Sequence, residues 1–196
     1  MLGFNYKKAV QALNLFANLE GGSINKMKAL KLIWLSDRLH LRKYGRPILN
    51  DNYVAMPFGP VASSTKDLAE NTSFLSDQEQ DYRNKFITLD ARYTYKSISG
   101  VDQKVFSKTD LDAMKAIYEA FGKTGEFVLS EESHKYPEWQ RFETHLKSGS
   151  GSRYPMDYND FFKSSEENHF IFTQDDEYLN LSKEMFLENG YIYQLI

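Results

Sequence analysis

Asp37 and His40 stand three residues apart inside the apolar run LKLIWLSDRLHL that begins at Leu30. On a helix, that spacing puts both side chains on neighbouring surface. An acid beside an imidazole suits two kinds of chemistry: a proton-handling pair, or two ligands of a metal with His134 as a third. The structural reading of the same residues is a polar pair. In it Asp37 accepts from a loop N–H or from Arg46, and His40 closes the helix end. Two or three candidate ligands specify a metal site weakly, so the structural reading is preferred, with no metal and no cofactor expected. Other chemistry is sparse. The chain shows no GxxxxGK[ST] loop, no GxGxxG, no GxSxG elbow and no HExxH. It has no cysteine, which excludes disulfides, thiolate catalysis and thiolate metal sites. The expectation is a protein that is not an enzyme.

The elements that must position these residues are mostly helical. Phe4–Glu20 reads as an amphipathic helix with Ala9, Leu13, Phe16 and Ala17 on one face, ended by Gly21-Gly22. Ser23 or Asn25 caps the next helix, which runs from about Asn25 to Tyr44. Met27, Leu30, Trp34, Leu41 and Tyr44 form one stripe of it, and Leu32, Leu35 and Leu39 a neighbouring one, so it should be central with partners on two sides. Asp37 falls within the first stripe, where an unpaired carboxylate would be costly. Tyr53–Met56 reads as a short strand, and Pro60–Asn71 as a helix with Pro60 in its first turn. Phe86–Ile98 alternates in strand fashion, as one bent strand or two turning near Asp90-Ala91, and Val101–Phe106 adds a further short piece. Ser107-x-x-Asp110 opens a helix as a capping box, with Gly122 and Gly125 ending it. Helices follow at Phe127–Ser133, Pro137–Leu146 and Met156–Lys163, around a KSGSGS loop at Lys147–Ser152. The end of the chain reads as a strand at His169–Thr173 and a helix near Asp175–Glu188. The fold class is mostly α (α+β): a compact helical domain around a long central helix with one small antiparallel β-sheet. Residues 1–165 form the domain, and 166–196 an acidic, aromatic extension packed on it.

Charge and aromatic content bear on partners. The 196 residues carry a net charge of -3 and include 14 Phe and 13 Tyr, a surplus of rings of the kind interfaces use. Residues 26–46 hold seven Lys/Arg against Asp37, and residues 157–188 nine Asp/Glu against Lys163 and Lys183. The preferred reading is two solvated faces. A nucleic-acid surface from Lys26, Lys28, Lys31, Arg38, Arg42 and Lys43 is the sharper alternative, but no recognised motif accompanies it. Pro57 and Pro60 flank Phe58-Gly59 and stiffen the backbone. Phe58 then reads first as a plug in the core, or else as an exposed aromatic knob. His134 and Trp139 read as structural polar residues, a helix cap and a packing anchor. No apolar run approaches the ~20 residues of a membrane span and no export signal is visible, so the expected location is cytoplasmic.

Together these segments resemble a known family. KALKLIWLSDRLHLRKYGRPILNDNYVAMPFGPV is similar to the signature of the Panacea domain, the antitoxin family also described as SocA-like or phage-associated GepA-like. Its pattern is a K-L helix, an acid and a His near its end, a Y-G-R-P turn, a strand, then G-P-V. FSKTDLDAMKAIYEAFGKTGEFVLSEESHKYPEWQRF resembles the family's later helix and its L-S-x-x-[ST]-H-x-x-P-x-W pattern. YPMDYNDFF resembles the closing element. The likeness spans about residues 5–163. Where many relatives place an acidic or aromatic residue before Asp-x-x-His, this chain has Trp34-Leu35-Ser36.

The resemblance implies an antitoxin of a toxin–antitoxin system, encoded beside its toxin and neutralising that protein by direct binding. A protease adaptor that delivers the toxin to a host protease is the alternative, and a nucleic-acid-binding regulator or an Asp/His enzyme are the rivals from other classes. The partner is a cognate toxin protein, with nucleic acid disfavoured and no membrane. The candidate contact residues are Asp37, His40, Arg42, Lys43, Tyr44, Arg46, Tyr53 and Phe58. The acidic extension is the second candidate surface.

Overall fold

The computed structural model describes residues 3–192. Residues 1–2 and 193–196, the outer ends of the expected segments, lie outside the described residues. Nine α-helices are described: α1 (Tyr6–Leu19), α2 (Lys26–Tyr44), α3 (Ser63–Glu70), α4 (Asp77–Arg83), α5 (Lys108–Phe121), α6 (Glu126–Ser133), α7 (Pro137–Gln140), α8 (Glu143–Lys147) and α9 (Asp176–Ile192). Six short strands accompany them: β1 (Ser23–Asn25), β2 (Tyr53–Met56), β3 (Gly59–Ala62), β4 (Ile87–Ala91), β5 (Thr94–Ser97) and β6 (Tyr154–Pro155). No helix among the described residues is long and apolar enough to cross a membrane.

The central element is α2, buried without interruption from Lys28 to Arg42. Asn25 starts it by accepting from the N–H groups of Met27 and Lys28, satisfying donors that a helix leaves open at its N-terminus. Gly45 ends it in the left-handed conformation, φ 62°. With apolar residues on so much of its circumference, α2 needs cover on every side. It packs against α1, α5, α6 and α9. Helix α5 begins with the expected capping box, in which Ser107 and Asp110 each satisfy the other's backbone N–H.

The fold is mostly α with small antiparallel sheets, but the described residues form two sheets where one was expected. One has the order β1-β5-β4, the other β3-β2-β6. The split follows from partners that local patterning does not show. Ser23–Asn25 joins α1 to α2 and pairs with β5, Ile24 opposite Tyr95. The β2 strand pairs with Tyr154-Pro155 about a hundred residues away. Pro60 lies in β3 opposite Ala55, not in a helix. As an edge strand, β3 tolerates a residue without an N–H, and the following helix starts only at Ser63. The strand expected at His169–Thr173 is a 3-10 turn at Phe170–Phe172, and the helix expected at Met156–Lys163 is a 3-10 turn at Tyr158–Phe162.

Candidate functional site

The turn after α2 is organised from inside by Asp37. Its Oδ1 accepts from the N–H of Ile48 (2.7 Å) and of Leu49 (3.4 Å), and its Oδ2 from the Tyr53 hydroxyl (2.9 Å). Both Asp37 and Tyr53 are buried. The carboxylate thus holds the segment running back from Gly45 to β2 against its own helix. Burial pushes its pKa up to about 7, against the hydrogen bonds, which pull it down.

His40 pins the same turn from the other side. Its Nδ1 lies 2.8 Å from the carbonyl of Arg46 and its Nε2 3.0 Å from Thr109 Oγ1. A carbonyl only accepts, so Nδ1 carries the proton, and in a neutral ring Nε2 then accepts from the Thr109 hydroxyl. Burial lowers the pKa to about 4, which keeps the ring neutral. Arg46 completes this corner by donating to Asp110 (2.8 Å), Ser107 (2.9 Å) and Thr109 (3.3 Å) at the start of α5. Lys8 of α1 reaches the same Asp110 at 2.7 Å.

Asp37 and His40 therefore share a helix but no hydrogen bond: one grips Ile48, Leu49 and Tyr53, the other Arg46 and Thr109. His134 is elsewhere, its ring stacked on Trp139 with centroids 3.9 Å apart. Trp139 is buried and donates from Nε1 to the Met56 carbonyl (2.9 Å), tying α7 to β2. Among the described residues no group of three His, Asp or Glu stands in metal-binding geometry.

The basic run of α2 is not a solvated face. Lys28, Lys31, Arg38 and Arg42 are buried. Lys28 pairs with Glu20, and Lys31 donates to the Pro60 carbonyl at 2.8 Å. Burial brings the Lys31 pKa down to about 7. Arg38 pairs with the buried Glu138 and donates to the Lys163 carbonyl (2.8 Å). Its guanidinium lies 4.5 Å from the Tyr136 ring centre and 5.5 Å from that of Phe172. Arg42 reaches the carbonyls of Phe161, Phe162, Lys163 and Phe172 and the Ser164 hydroxyl. Five donors in a fixed plane can satisfy a set of outward-pointing carbonyls that no regular element pairs. Arg38 and Arg42 thus fasten residues 161–172 onto α2.

Sequence reasoning missed Glu138 and Lys31 as interior charges. It also missed Asp51, which caps α3 from a distance by accepting from Ser64 N, Thr65 N and Thr65 Oγ1. The available signal for Arg38 and Arg42 was their spacing of four on a helix whose remaining face was already apolar.

Of the eight candidate contact residues, Asp37, His40, Arg42 and Tyr53 are buried and offer a partner no surface as folded. Their polar atoms serve the turn and the chain beyond it. Lys43 and Tyr44 are exposed at the end of α2, and Arg46 is partly exposed beside them. Phe58 is 62% exposed at the tip of the β2–β3 hairpin, so it does not plug the core. Flanking Pro57 and the left-handed Gly59 (φ 94°) turn the chain there and leave the ring outside. Its carbonyl accepts from Ser130 of α6 (2.9 Å), beside the N-terminal half of α2. The structure does not bring Phe58 together with Tyr44. Lys31, under the hairpin, and Tyr44 are separated by about 20 Å of helix at ~1.5 Å per residue. A cleft of about 270 Å³ opens at the Tyr44 end, lined by Lys8, Arg46, Pro47, Ile48 and Phe186 among others.

A family model described as "Antitoxin SocA-like, Panacea domain" matches residues 30–140. No curated protein and no solved structure gives a significant match. The matched span begins inside α2 and ends with α7. It contains the Asp37–Tyr53 clasp, the His40–Thr109 pin and the Arg38–Glu138 pair. Matched over more than half its length, this chain belongs to the SocA-like antitoxin family and carries its Panacea domain at residues 30–140.

Proposed function

We propose that this chain is the antitoxin of a toxin–antitoxin pair and neutralises a cognate toxin protein by direct binding in the cytoplasm. The observation that carries the reading is the Panacea-domain match over residues 30–140. The chemistry of the chain agrees with a binder rather than an enzyme. Its acid and imidazole are buried and spent on holding a turn, while aromatic side chains stand exposed at Tyr44 and Phe58, and such rings are common anchors at interfaces. Lys43, Tyr44, Arg46 and Phe58 are the contact residues of this reading, with Asp37, His40, Arg42 and Tyr53 supporting them from beneath. Residues 1–165 act as the antitoxin domain, and 166–196 as an extension on it. Burial of four of the seven cations of residues 26–46 weighs against a nucleic-acid surface.

The test is co-expression with the product of the adjacent reading frame, scoring growth rescue and co-purification. Rescue with a stable complex supports the proposal. Rescue with loss of the toxin, reversed by deleting a host protease, makes the chain an adaptor instead. A harmless neighbour that does not co-purify sinks the proposal.

A further inference from the structure

We infer that α9 carries a second binding face, and that this face seats in an apolar groove walled by lysine and arginine on the toxin protein. The inference rests on the antitoxin reading above and names the surface and the partner chemistry.

The argument begins with what α9 needs in order to fold. Leu179, Ser182 and Phe186 are buried, at the i, i+3, i+7 spacing of one helical stripe. That stripe docks α9 beside the end of α2: a Cβ placed on Gly45 would stand 2.4 Å from the Ser182 carbonyl oxygen and 2.8 Å from Met185 Cβ. One such stripe is enough to hold a surface helix. A second one runs beside it and is open. Tyr178, Leu181 and Met185 repeat the same spacing and are 72%, 53% and 44% exposed. At ~100° per residue the centres of the two stripes are about 100° apart around the helix. The open stripe therefore flanks the buried one, with Met185 at the boundary where α9 meets Gly45 and Tyr178 and Leu181 turned to solvent. Tyr44, next to the Gly45 that Met185 approaches, is exposed as well.

Glu177, Glu184 and Glu188 fall on the far side of the open stripe, next to Leu181, and all three are exposed. Among the described residues none of them forms an ion pair. Across the wheel α9 thus reads buried stripe, open apolar stripe, acidic rail. An apolar helix face laid in a groove is a common recognition mode, and the rail sets the sign of the groove's wall. Nucleic acid and anionic membrane are repelled by it. A second copy of this chain is disfavoured, because antiparallel packing of two α9 helices across a two-fold axis sets rail against rail. A protein surface with basic residues beside an apolar groove fits the open stripe and the rail together.

The experiment uses the full chain and the protein encoded beside its gene, with affinity measured at two salt concentrations. Tyr178→Ser with Leu181→Ser is one variant, and Glu177→Lys with Glu184→Lys and Glu188→Lys the other. Phe74→Ser, an 87% exposed ring on the loop before α4, is the control. Circular dichroism melts confirm that each variant folds. The apolar variant is expected to weaken the wild-type complex at least ~30-fold, the loss of one strong anchor. The charge-reversed variant is expected to slow association and invert its salt dependence, so that added salt speeds binding. Phe74→Ser should bind like wild type. Wild-type binding with both α9 variants equally tight overturns this inference and leaves the antitoxin reading standing. A wild-type chain that neither binds nor rescues overturns that reading, and the inference with it. A self-dimer that the stripe variant dissolves assigns the face to a second copy and likewise overturns the proposal.

Discussion

Replacing Asp37 by Asn keeps the size and shape of the side chain and removes its charge. Oδ1 can still accept from Ile48 and Leu49, while the amide meets the Tyr53 hydroxyl, at a cost of about 1 kcal/mol for one rearranged bond. The larger effect depends on pH. Raising the carboxyl from its ordinary 3.8 to about 7 means that the folded protein keeps a proton which the unfolded chain has lost. Wild-type stability therefore falls as pH rises through that window, by about 4 kcal/mol in all at ~1.4 kcal/mol per pH unit, and levels off above about 7. His40 works in the opposite sense. Its pKa is lowered from 6.5 to about 4, so the unfolded chain binds the extra proton. Stability then rises by about 3 kcal/mol between those limits. In the wild type the two terms nearly cancel, and in Asp37→Asn the His40 rise is uncovered. Urea unfolding followed by the fluorescence of the buried Trp34 and Trp139, at half-unit steps from pH 4.5 to 7.5, reads both profiles. The variant should gain on wild type by several kcal/mol across the range, a shift of more than ~1 M in midpoint. Parallel profiles would refute the reasoning. They would mean that the two N–H groups and the Tyr53 hydroxyl outweigh desolvation and keep Asp37 ionised throughout.

Other perturbations test the remaining contacts. Arg42→Met removes the donors to four carbonyls and the Ser164 hydroxyl. It should cost about 3 kcal/mol or more and raise amide hydrogen exchange selectively in residues 161–173. Glu138→Gln strands the buried Arg38 guanidinium and should destabilise by about 3–5 kcal/mol, measured by thermal or urea unfolding. Glu138→Gln with Arg38→Met should recover much of that loss. Gly45→Ala meets both a left-handed φ of 62° and the Ser182 carbonyl at 2.4 Å. It should loosen α9, seen as new proteolytic cleavage between Phe172 and Asp176 while α1 and α5 stay protected. Phe58→Ser, at an exposed hairpin tip, should leave the unfolding free energy within ~0.5 kcal/mol of wild type, so any effect on growth rescue would report on binding alone.

Much of this protein was legible one helical turn at a time. The cap at Ser23 or Asn25, the end of α2 at Tyr44, the Tyr53–Met56 strand and the Ser107–Asp110 capping box are all local arrangements. Residues within four positions of one another set them, and the structure has each where the spacing puts it. The ordered blocks from Lys28 to Val61 and from Phe106 to Phe142 were also enough to place the chain in its family. What the residues of α2 do was settled elsewhere. Six cations along one helix look the same whether water or protein meets them. That Arg42 faces four carbonyls and Arg38 faces Glu138 depends on where residues 138–172 cross the helix. The same dependence divided one expected sheet into two, because β1 and β6 are too short to declare themselves without their partners. Local steric and hydrogen-bonding preferences travel with the sequence, whereas burial belongs to the assembled chain. Asp37 and His40 show the difference: their spacing on a helix was readable from the start, but only packing decided that both would be enclosed and turned to separate partners.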